Sequence, residues 1–226
     1  MRNTSERLTA ARLTSLLACL VIAGCGDVKQ ARGRNIVVVV VDTLRADRVG
    51  AATAHGSLTP FLDDLGRRGV RFTHAYSTSS WTNPSVASLF TSRYPSQHLV
   101  HGFDSTLAAD EVTLAKRLQA AGWLTAGFSA NPQLQAQHGY GQGFDAWQTF
   151  PSFKLPGPEL RAACLQWIDA HWRRGSGGPL FLYLQYMEPH APYEPPAPFR
   201  ARWHRVCPTR RCGARTTCWS GSCGPI

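Results

Sequence analysis

The hydrophobic residues of this chain fall into short runs separated by amphipathic segments. Two runs are continuous: Asn35–Val41, which contains five consecutive valines, and Pro179–Tyr186. Apolar, β-branched runs of this length are typical of strands buried on both faces of a parallel sheet. The segment Trp123–Ala130 is also strand-like, and the pattern predicts a further strand at Val70–Ala75.

Apolar residues recur at helical spacing between these runs. The clearest helix signal is Thr59 as N-cap with Pro60 at the first helical position, and Gly69 ends that helix. Three more helices are predicted, over Ser85–Ser92, Glu111–Ala121 and Pro158–Arg173. Because strands and helices alternate, the pattern predicts an α/β sandwich in which helices flank a mostly parallel central sheet.

The beginning of the chain is predicted to be an export signal. Three arginines precede the apolar stretch Leu16–Ala23, which suits a secretory signal and is shorter than the roughly 20 residues of a spanning helix. The stretch ends in Ile22–Cys25, which resembles a bacterial lipobox, so residues 1–25 are interpreted as a lipoprotein signal with Cys25 as the lipidation site. Residues 26–34 would be a tether. We therefore expect a lipid-anchored protein of the bacterial cell envelope, in the periplasm or on the outer surface; an ordinary cleaved signal is the alternative.

The net charge of +10 is concentrated at the two ends of the chain. Residues 202–226 contain five arginines and no acidic residue, and three more arginines lie in the signal segment. The body is near neutral, so no nucleic-acid partner is expected. Cys164 stands alone on an apolar helix face, which predicts a buried, inert thiol.

Residues 201–226 have an irregular composition. They hold four cysteines at spacings unlike those of zinc sites, and they show neither helical nor strand periodicity. This composition favours coding sequence read out of frame. A genuine disulfide-stapled module in an exported protein is the alternative.

Three polar residues are expected where ligands bind in open α/β sheets, beyond the carboxyl ends of the strands. Asp42 follows the first strand, His190 follows the last, and Thr82 opens a helix whose free N–H groups and dipole favour an anion. This set suits attack on a phosphate or sulfate ester, with a metal lowering the pKa of the hydroxyl. The structural alternatives are a turn cap for Asp42, a helix cap for Thr82 and a loop histidine for His190.

Five blocks of sequence, in the same order, resemble the sulfatases, a family of the alkaline phosphatase superfamily. The blocks are Val40–Asp47, Thr59–Leu65, Gly69–Tyr76, Trp81–Pro95 and Phe181–Tyr193. The resemblance runs from about Asn35 to Arg200. It implies that residues 35–200 are a partial sulfatase domain, N-terminal in the family's domain, with an alkaline-phosphatase-like fold that is incomplete at its C-terminus.

The resemblance also implies roles for the three polar residues. Asp42 would bind a divalent metal ion, and Thr82 would be the catalytic nucleophile and a second metal ligand. His190 would be a catalytic and substrate-binding residue that contacts the anionic group or the leaving oxygen. The metal implied is Ca²⁺ in a sulfatase and Mn²⁺ or Zn²⁺ in a phosphoesterase. Trp81 and Tyr193 are candidate pocket walls, with simple packing as the alternative.

Several positions depart from the sulfatase pattern. Sulfatases have Cys or Ser at the place of Thr82, for conversion to formylglycine, and Arg at the place of Val86; threonine cannot form that aldehyde. Thr43 stands where a second acidic residue is usual, and Gly122–Asn131 replaces a Gly-Lys-x-His segment. The downstream Asp-His-Gly metal motif is absent, and a metal held by Asp42 and Thr82 alone would lack ligands.

Three functions therefore stay open. The first is hydrolysis of sulfuric esters of a glycan or small molecule by a metal-bound nucleophile, in a chain expected to be truncated. The second is a phosphodiesterase or phosphoethanolamine-type transferase with Thr82 as nucleophile, acting on a phosphorylated substrate. The third is an inactive surface lipoprotein that binds anionic glycans. If the reading frame is lost after Arg200, the strand at Phe181–Tyr186 is expected to lack a neighbour on one side.

Overall fold

The computed structural model describes residues 35–50, 52–53, 56–152, 155–173 and 178–191, together with residues 194 and 197. The strands are β1 (Ile36–Val41), β2 (Ala52–Thr53), β3 (Gly56–Ser57), β4 (Leu124–Ser129), β5 (Ala146–Thr149) and β6 (Leu180–Tyr186). The helices are α1 (Pro60–Arg68), α2 (Thr82–Thr91), α3 (Pro95–His98), α4 (Leu114–Ala120) and α5 (Gly157–Trp167), and α5 continues into a π-helical turn at Ile168–Trp172.

One four-stranded sheet organises the described residues. Its strand order is β1-β6-β4-β5, and every neighbouring pair is parallel. β6 lies between β1 and β4, with Tyr183 opposite Val38 on one side and opposite Gly127 on the other. The expectation that β6 would lack a neighbour is therefore wrong, because both of its edges are paired and the outer strand on that side is β1.

Helices cover both faces of the sheet. On one face, Phe90 of α2 packs against Tyr183 of β6, with the ring centroids 4.9 Å apart. On the other face, Leu160 and Cys164 of α5 pack against the strand residues of β4 and β6. This arrangement confirms the predicted α/β sandwich with a parallel central sheet. Cys164 is buried with a free thiol, as predicted, and burial raises the pKa of that thiol.

β1 has the composition of a central strand but lies at the edge of the described sheet. Val37 and Val39 are each 54% exposed. They lie on the same face of the sheet as Leu182 and Leu184, which α5 covers, but they are not part of that buried cluster. The strand predicted at Val70–Ala75 is wrong: Val70 and Phe72 are about 80% exposed and belong to no strand. β propensity produces a strand only where a partner strand is available, and none of the described strands runs beside this segment.

The helix starts follow local capping chemistry. α2 begins at Thr82, three residues before its predicted start, because Pro84 fits the first turn, where its missing N–H costs nothing. α4 begins at Leu114 and not at Glu111, because the Thr113 hydroxyl caps the helix by accepting the Lys116 N–H at 3.1 Å. Within the described part of the chain, no helix has the length and apolarity of a membrane span.

A buried histidine joins α2 to α3. His98 is 3% exposed; its Nδ1 accepts the backbone N–H of Val100 at 3.1 Å, and its Nε2 lies 2.9 Å from the Ser88 hydroxyl. Because Nδ1 is an acceptor, the neutral ring carries its proton on Nε2 and donates it to Ser88. The ring therefore cannot act as a base toward Ser88, and the pair is a structural link between the helices.

This link predicts a pH-dependent stability. Burial lowers the pKa of His98 below its ordinary 6.5, so the folded chain binds fewer protons than the unfolded chain between the two pKa values. The contribution of neutral His98 to the free energy of unfolding is therefore complete above pH 6.5, and it is lost as the pH falls through the lowered pKa. Urea unfolding at several pH values should show this loss, and His98→Gln should flatten it. If the free energy of unfolding depends on pH equally in the wild-type protein and in His98→Gln, the loss does not come from His98.

Candidate active site at the carboxyl edge of the sheet

Asp42 lies one residue beyond the end of β1. Its backbone N–H donates to the carbonyl oxygen of Tyr186 at 2.9 Å, which extends the β1–β6 ladder to the ends of the two strands. Its side chain is buried, with the residue only 8% exposed. A carboxylate at this depth needs donors or a cation to offset its lost hydration, so its neighbours determine what the site can do.

Thr82 directs its hydroxyl at this carboxylate. Thr82 Oγ1 donates to Asp42 Oδ2 at 3.2 Å. The preceding residue, Trp81, is extended (φ −107°, ψ 143°), so Thr82 is the first helical residue of α2. The N–H groups of a first helical turn have no partners within the helix, and they favour a negatively charged ligand. The structure therefore brings together Asp42 and Thr82, two of the three residues that the sequence indicated.

Two buried amides complete the surroundings of Asp42, and the sequence analysis missed both. Asn131 Nδ2 donates to Asp42 Oδ2 at 3.2 Å, and Gln185 Nε2 donates to the same oxygen at 3.0 Å. The two residues are 2% and 1% exposed. Gln185 interrupts the apolar run of β6, and Asn131 follows β4. The signal that could have found them is an amide at the carboxyl end of an otherwise apolar strand.

A hydrogen bond to the oxygen of each amide fixes the orientation of that amide. Gln185 Oε1 accepts the Tyr183 hydroxyl at 2.5 Å, and Asn131 Oδ1 accepts the Gln133 N–H at 3.0 Å. Burial, followed by the charge of Asp42, raises the pKa of Tyr183 well above 10, so its hydroxyl stays protonated and donates. Each amide oxygen accepts a hydrogen bond on the side away from Asp42, and both NH₂ groups face Asp42.

The backbone turns sharply after Asp42. Thr43 has a φ of 56°, in the left-handed region, which is rare for a β-branched residue and costs about 1–3 kcal/mol. Such strain persists only where the surrounding structure fixes the chain. Here the backbone and carboxylate hydrogen bonds of Asp42 fix the residue next to Thr43.

His190 lies at the same edge of the sheet, four residues after the end of β6. Its Nδ1 lies 2.6 Å from the carbonyl oxygen of Ala191, which accepts the ring proton. It makes no hydrogen bond with Asp42 or Thr82. The structure therefore places His190 near the end of the strand that carries Gln185, outside the Asp42 cluster.

An aromatic pair flanks the start of α2. The rings of Trp81 and Phe103 meet edge to face with centroids 4.5 Å apart, and each residue is about half exposed. Asn83, 2% exposed, donates through Nδ2 to the carbonyl oxygens of Gly102 and Phe103, which fixes the second ring. The ring of Trp81 packs against Phe103, and about half of Trp81 remains exposed. This geometry is compatible with simple packing and with a pocket wall. The other predicted wall, Tyr193, lies outside the described residues.

The described residues do not by themselves form a divalent-cation site. Ca²⁺ takes six to eight oxygen ligands, and within the described ranges no three His, Cys, Asp or Glu side chains gather. Asp42 and Thr82 offer one carboxylate and one hydroxyl. Asn131 and Gln185 present N–H groups to the site, and their oxygens are bonded elsewhere. A cation here would need ligands from outside the described residues.

The sheet and the position of the site define the class of fold. The phosphonate monoester hydrolase of Agrobacterium radiobacter superposes on this chain with a TM-score of 0.59 at 20% sequence identity, covering 75% of this chain and 44% of that one. Similarity at this level of identity establishes the fold alone. The protein has an alkaline-phosphatase-like α/β fold, as predicted.

The sequence comparisons identify the family. A model of the sulfatase family matches residues 34–212, and the chain therefore belongs to the sulfatase family. It is 37% identical to arylsulfatase A of Homo sapiens over 112 residues, which are 47% of this chain and 22% of that protein. It is 32% identical to an ulvan-active sulfatase of Formosa agariphila over 129 residues, 54% of this chain and 25% of that protein. The chain thus spans about a quarter of the length of these relatives. Members of the family generally bind a divalent metal ion.

Proposed function

We propose that the chain carries the nucleophile side of a sulfatase-type active site and acts in the hydrolysis of sulfuric esters. One observation supports this most strongly: the Thr82 hydroxyl, at the start of α2, donates to the buried carboxylate of Asp42. The relatives named as sulfatases support a sulfated glycan or small molecule as the substrate class.

In the proposed reaction, Thr82 Oγ1 attacks the sulfur in line and forms a sulfate ester as the alcohol oxygen leaves. Asp42 Oδ2 already accepts the Thr82 proton in a hydrogen bond, so it is placed to hold that proton. The N–H groups of the first turn of α2 offset the charge on the non-bridging oxygens. His190, as an imidazolium, would donate a proton from Nε2 to the leaving oxygen. Water would then attack the sulfur and return one proton to His190, while Thr82 takes its proton back from Asp42 as the sulfate leaves.

A phosphoester substrate is the second candidate. Threonine keeps an ordinary hydroxyl and cannot become a formylglycine aldehyde, and Val86 replaces the arginine of the sulfatase pattern. Both departures suit a phosphodiesterase or a phosphoethanolamine-type transferase. The metal proposed is Ca²⁺ for a sulfatase and Mn²⁺ or Zn²⁺ for a phosphoesterase, with Asp42 and Thr82 as two of its ligands. The third candidate, an inactive protein that binds anionic glycans, is favoured by the single carboxylate of the described site.

One set of assays separates the three candidates. The whole chain is incubated with an aryl sulfate or an aryl phosphodiester, in Ca²⁺, Mn²⁺, Zn²⁺ or EDTA. We expect faster turnover of the aryl sulfate; faster turnover of the phosphodiester would select the second function. If neither ester is turned over while a sulfated glycan binds, the hydrolase proposal is wrong and the binding protein remains.

We also propose that the protein is an exported lipoprotein of the bacterial cell envelope, anchored through Cys25. The support is the sequence Ile22–Cys25 after an apolar stretch; these residues lie outside the described part of the chain. Labelling cells with radioactive palmitate should mark the wild-type protein and not Cys25→Ala. Equal labelling of the two proteins would contradict the anchor.

A further inference from the structure

Two aromatic rings form an open corner at the start of α2, next to Thr82. The rings of Trp81 and Phe103 meet at an interplanar angle of 80°, and the two residues are 49% and 48% exposed. We refer to this pair as the aromatic corner. Ligand sites are lined mainly by apolar and aromatic side chains beside a few polar groups, and the aromatic corner has this composition with the Thr82 hydroxyl beside it.

We propose that the aromatic corner binds the ring of the alcohol part of the substrate ester, and that Trp81 and Phe103 are specificity-determining residues. The ligand class is a six-membered ring with apolar faces, which is either an aryl ring or a pyranose. The inference rests on the proposed function for the ester itself. It extends that function from the anionic group to the part of the substrate that leaves.

The start of α2 places the aromatic corner beside the reacting group. Trp81 is the last residue before the helix, and its carbonyl oxygen accepts the N–H of Ser85 at 3.2 Å. Its side chain therefore borders the free N–H groups of the first turn, where the anionic group is proposed to lie. In an in-line attack the alcohol oxygen leaves on the side opposite Thr82 Oγ1, so the alcohol part extends outward, away from the buried Asp42.

The loop that carries Phe103 is fixed to the same turn of α2. The buried Asn83 donates through Nδ2 to the carbonyl oxygens of Gly102 and Phe103, at 3.3 and 3.2 Å. Because carbonyl oxygens only accept, this amide has a single satisfactory orientation. The Ser105 hydroxyl also accepts two backbone N–H groups of the loop, each at 3.2 Å. The corner thus keeps its position relative to Thr82 before a substrate binds, which lowers the entropy cost of binding.

The geometry of the aromatic corner favours a ring over a small alkyl group. A ring that stacks on one of the two faces turns its edge toward the other, because the faces are nearly perpendicular. Stacked and edge-to-face contacts are both favourable, since the face of an aromatic ring is negative and C–H edges are positive. A methyl group covers much less of the two faces. Esters that carry a ring should therefore bind more tightly than the methyl ester of the same anion.

Binding measurements with three sulfate esters test the aromatic corner without reference to turnover. The probes are 4-nitrophenyl sulfate, D-glucose 6-sulfate and methyl sulfate, which share the anionic group and differ in the alcohol part. Dissociation constants are measured by ligand-observed NMR titration in Ca²⁺, on the whole chain with Thr82→Ala so that no ester is consumed. We expect at least one ring ester to bind about 5-fold or more tightly than methyl sulfate, and the tighter of the two identifies an aryl or a sugar ring.

Leucine substitutions locate this preference. Added to Thr82→Ala, Trp81→Leu and Phe103→Leu each remove one ring and keep an apolar side chain. Each should reduce the preference to about twofold or less and leave the affinity for methyl sulfate within about twofold. Because both rings are half exposed, neither substitution empties the core. Tyr94→Leu is the matched control: it removes a ring that is 67% exposed beyond the other end of α2, and the preference should not change.

Two results would overturn the proposal: methyl sulfate that binds as tightly as both ring esters, and a ring preference that survives both leucine substitutions. Absence of turnover by the wild-type protein would instead contradict the proposed hydrolysis, and it would not alter these dissociation constants. The aromatic corner and the proposed reaction are therefore tested separately.

Discussion

Thr82→Ala is expected to abolish the proposed ester hydrolysis, with a loss on the order of 10⁴-fold or more. The variant removes the attacking oxygen, and the remaining groups around Asp42 are amide N–H donors that cannot replace it. Initial rates with the aryl ester that the wild-type protein prefers would measure the loss. Thr82→Ser should keep part of the activity because the hydroxyl survives.

A matched control lies at the other end of the same helix. The Thr91 hydroxyl donates to the Ala87 carbonyl oxygen at 2.7 Å within α2, away from Asp42. Thr91→Ala makes the same chemical change and should leave the rate within about twofold, since most changes away from a site have small effects. If Thr82→Ala reacts at the wild-type rate, Thr82 is only the first residue of a helix.

Gly143→Ala is expected to destabilise the fold by about 2–5 kcal/mol. Gly143 has a φ of +79°, a conformation unfavourable for alanine. A Cβ there would lie 2.2 Å from the backbone nitrogen of Lys116 and 2.5 Å from its Cα. Because the backbone of Lys116 is fixed within α4, neither Lys116 nor residue 143 can move to relieve the contact without disrupting other interactions. Urea unfolding followed by circular dichroism would measure the loss.

Gly66→Ala is the control for this prediction. Gly66 lies inside α1, and a Cβ there would meet nothing within 4 Å. The free energy of unfolding of this variant should rise by roughly 0.5–1 kcal/mol, because alanine favours the helix and reduces the entropy of the unfolded chain. Equal stabilities for Gly143→Ala and the wild-type protein would mean that α4 does not pack against residue 143 as described.

The sequence predicts the central elements because their patterns are local. The apolar runs that form β1 and β6 are recognisable without knowing their neighbours, and so is α1 with its Thr59-Pro60 start. Asp42 and Thr82 could be found for the same reason. Each occupies a special place in its own element, at a strand end or a helix start, where parallel α/β sheets bind ligands.

The remaining features depend on tertiary neighbours. Asn131 and Gln185 become site residues only when the order β1-β6-β4 is known, because that order sets three strand ends side by side. β5 is short, so its sequence gives little signal, and it is a strand because β4 pairs with it. Val70–Ala75 shows the reverse case: its sequence suits a strand, but none of the described strands pairs with it.

The most direct test of the account is a search for the ester that Thr82 should form during turnover. The whole protein is mixed with the preferred aryl ester, quenched in acid during steady state, digested, and examined by mass spectrometry. We expect a sulfuryl or phosphoryl group on the peptide that contains Thr82, and we expect it to be absent from Thr82→Ala. Turnover that proceeds with no adduct on that peptide, or with the adduct on another residue, would contradict it.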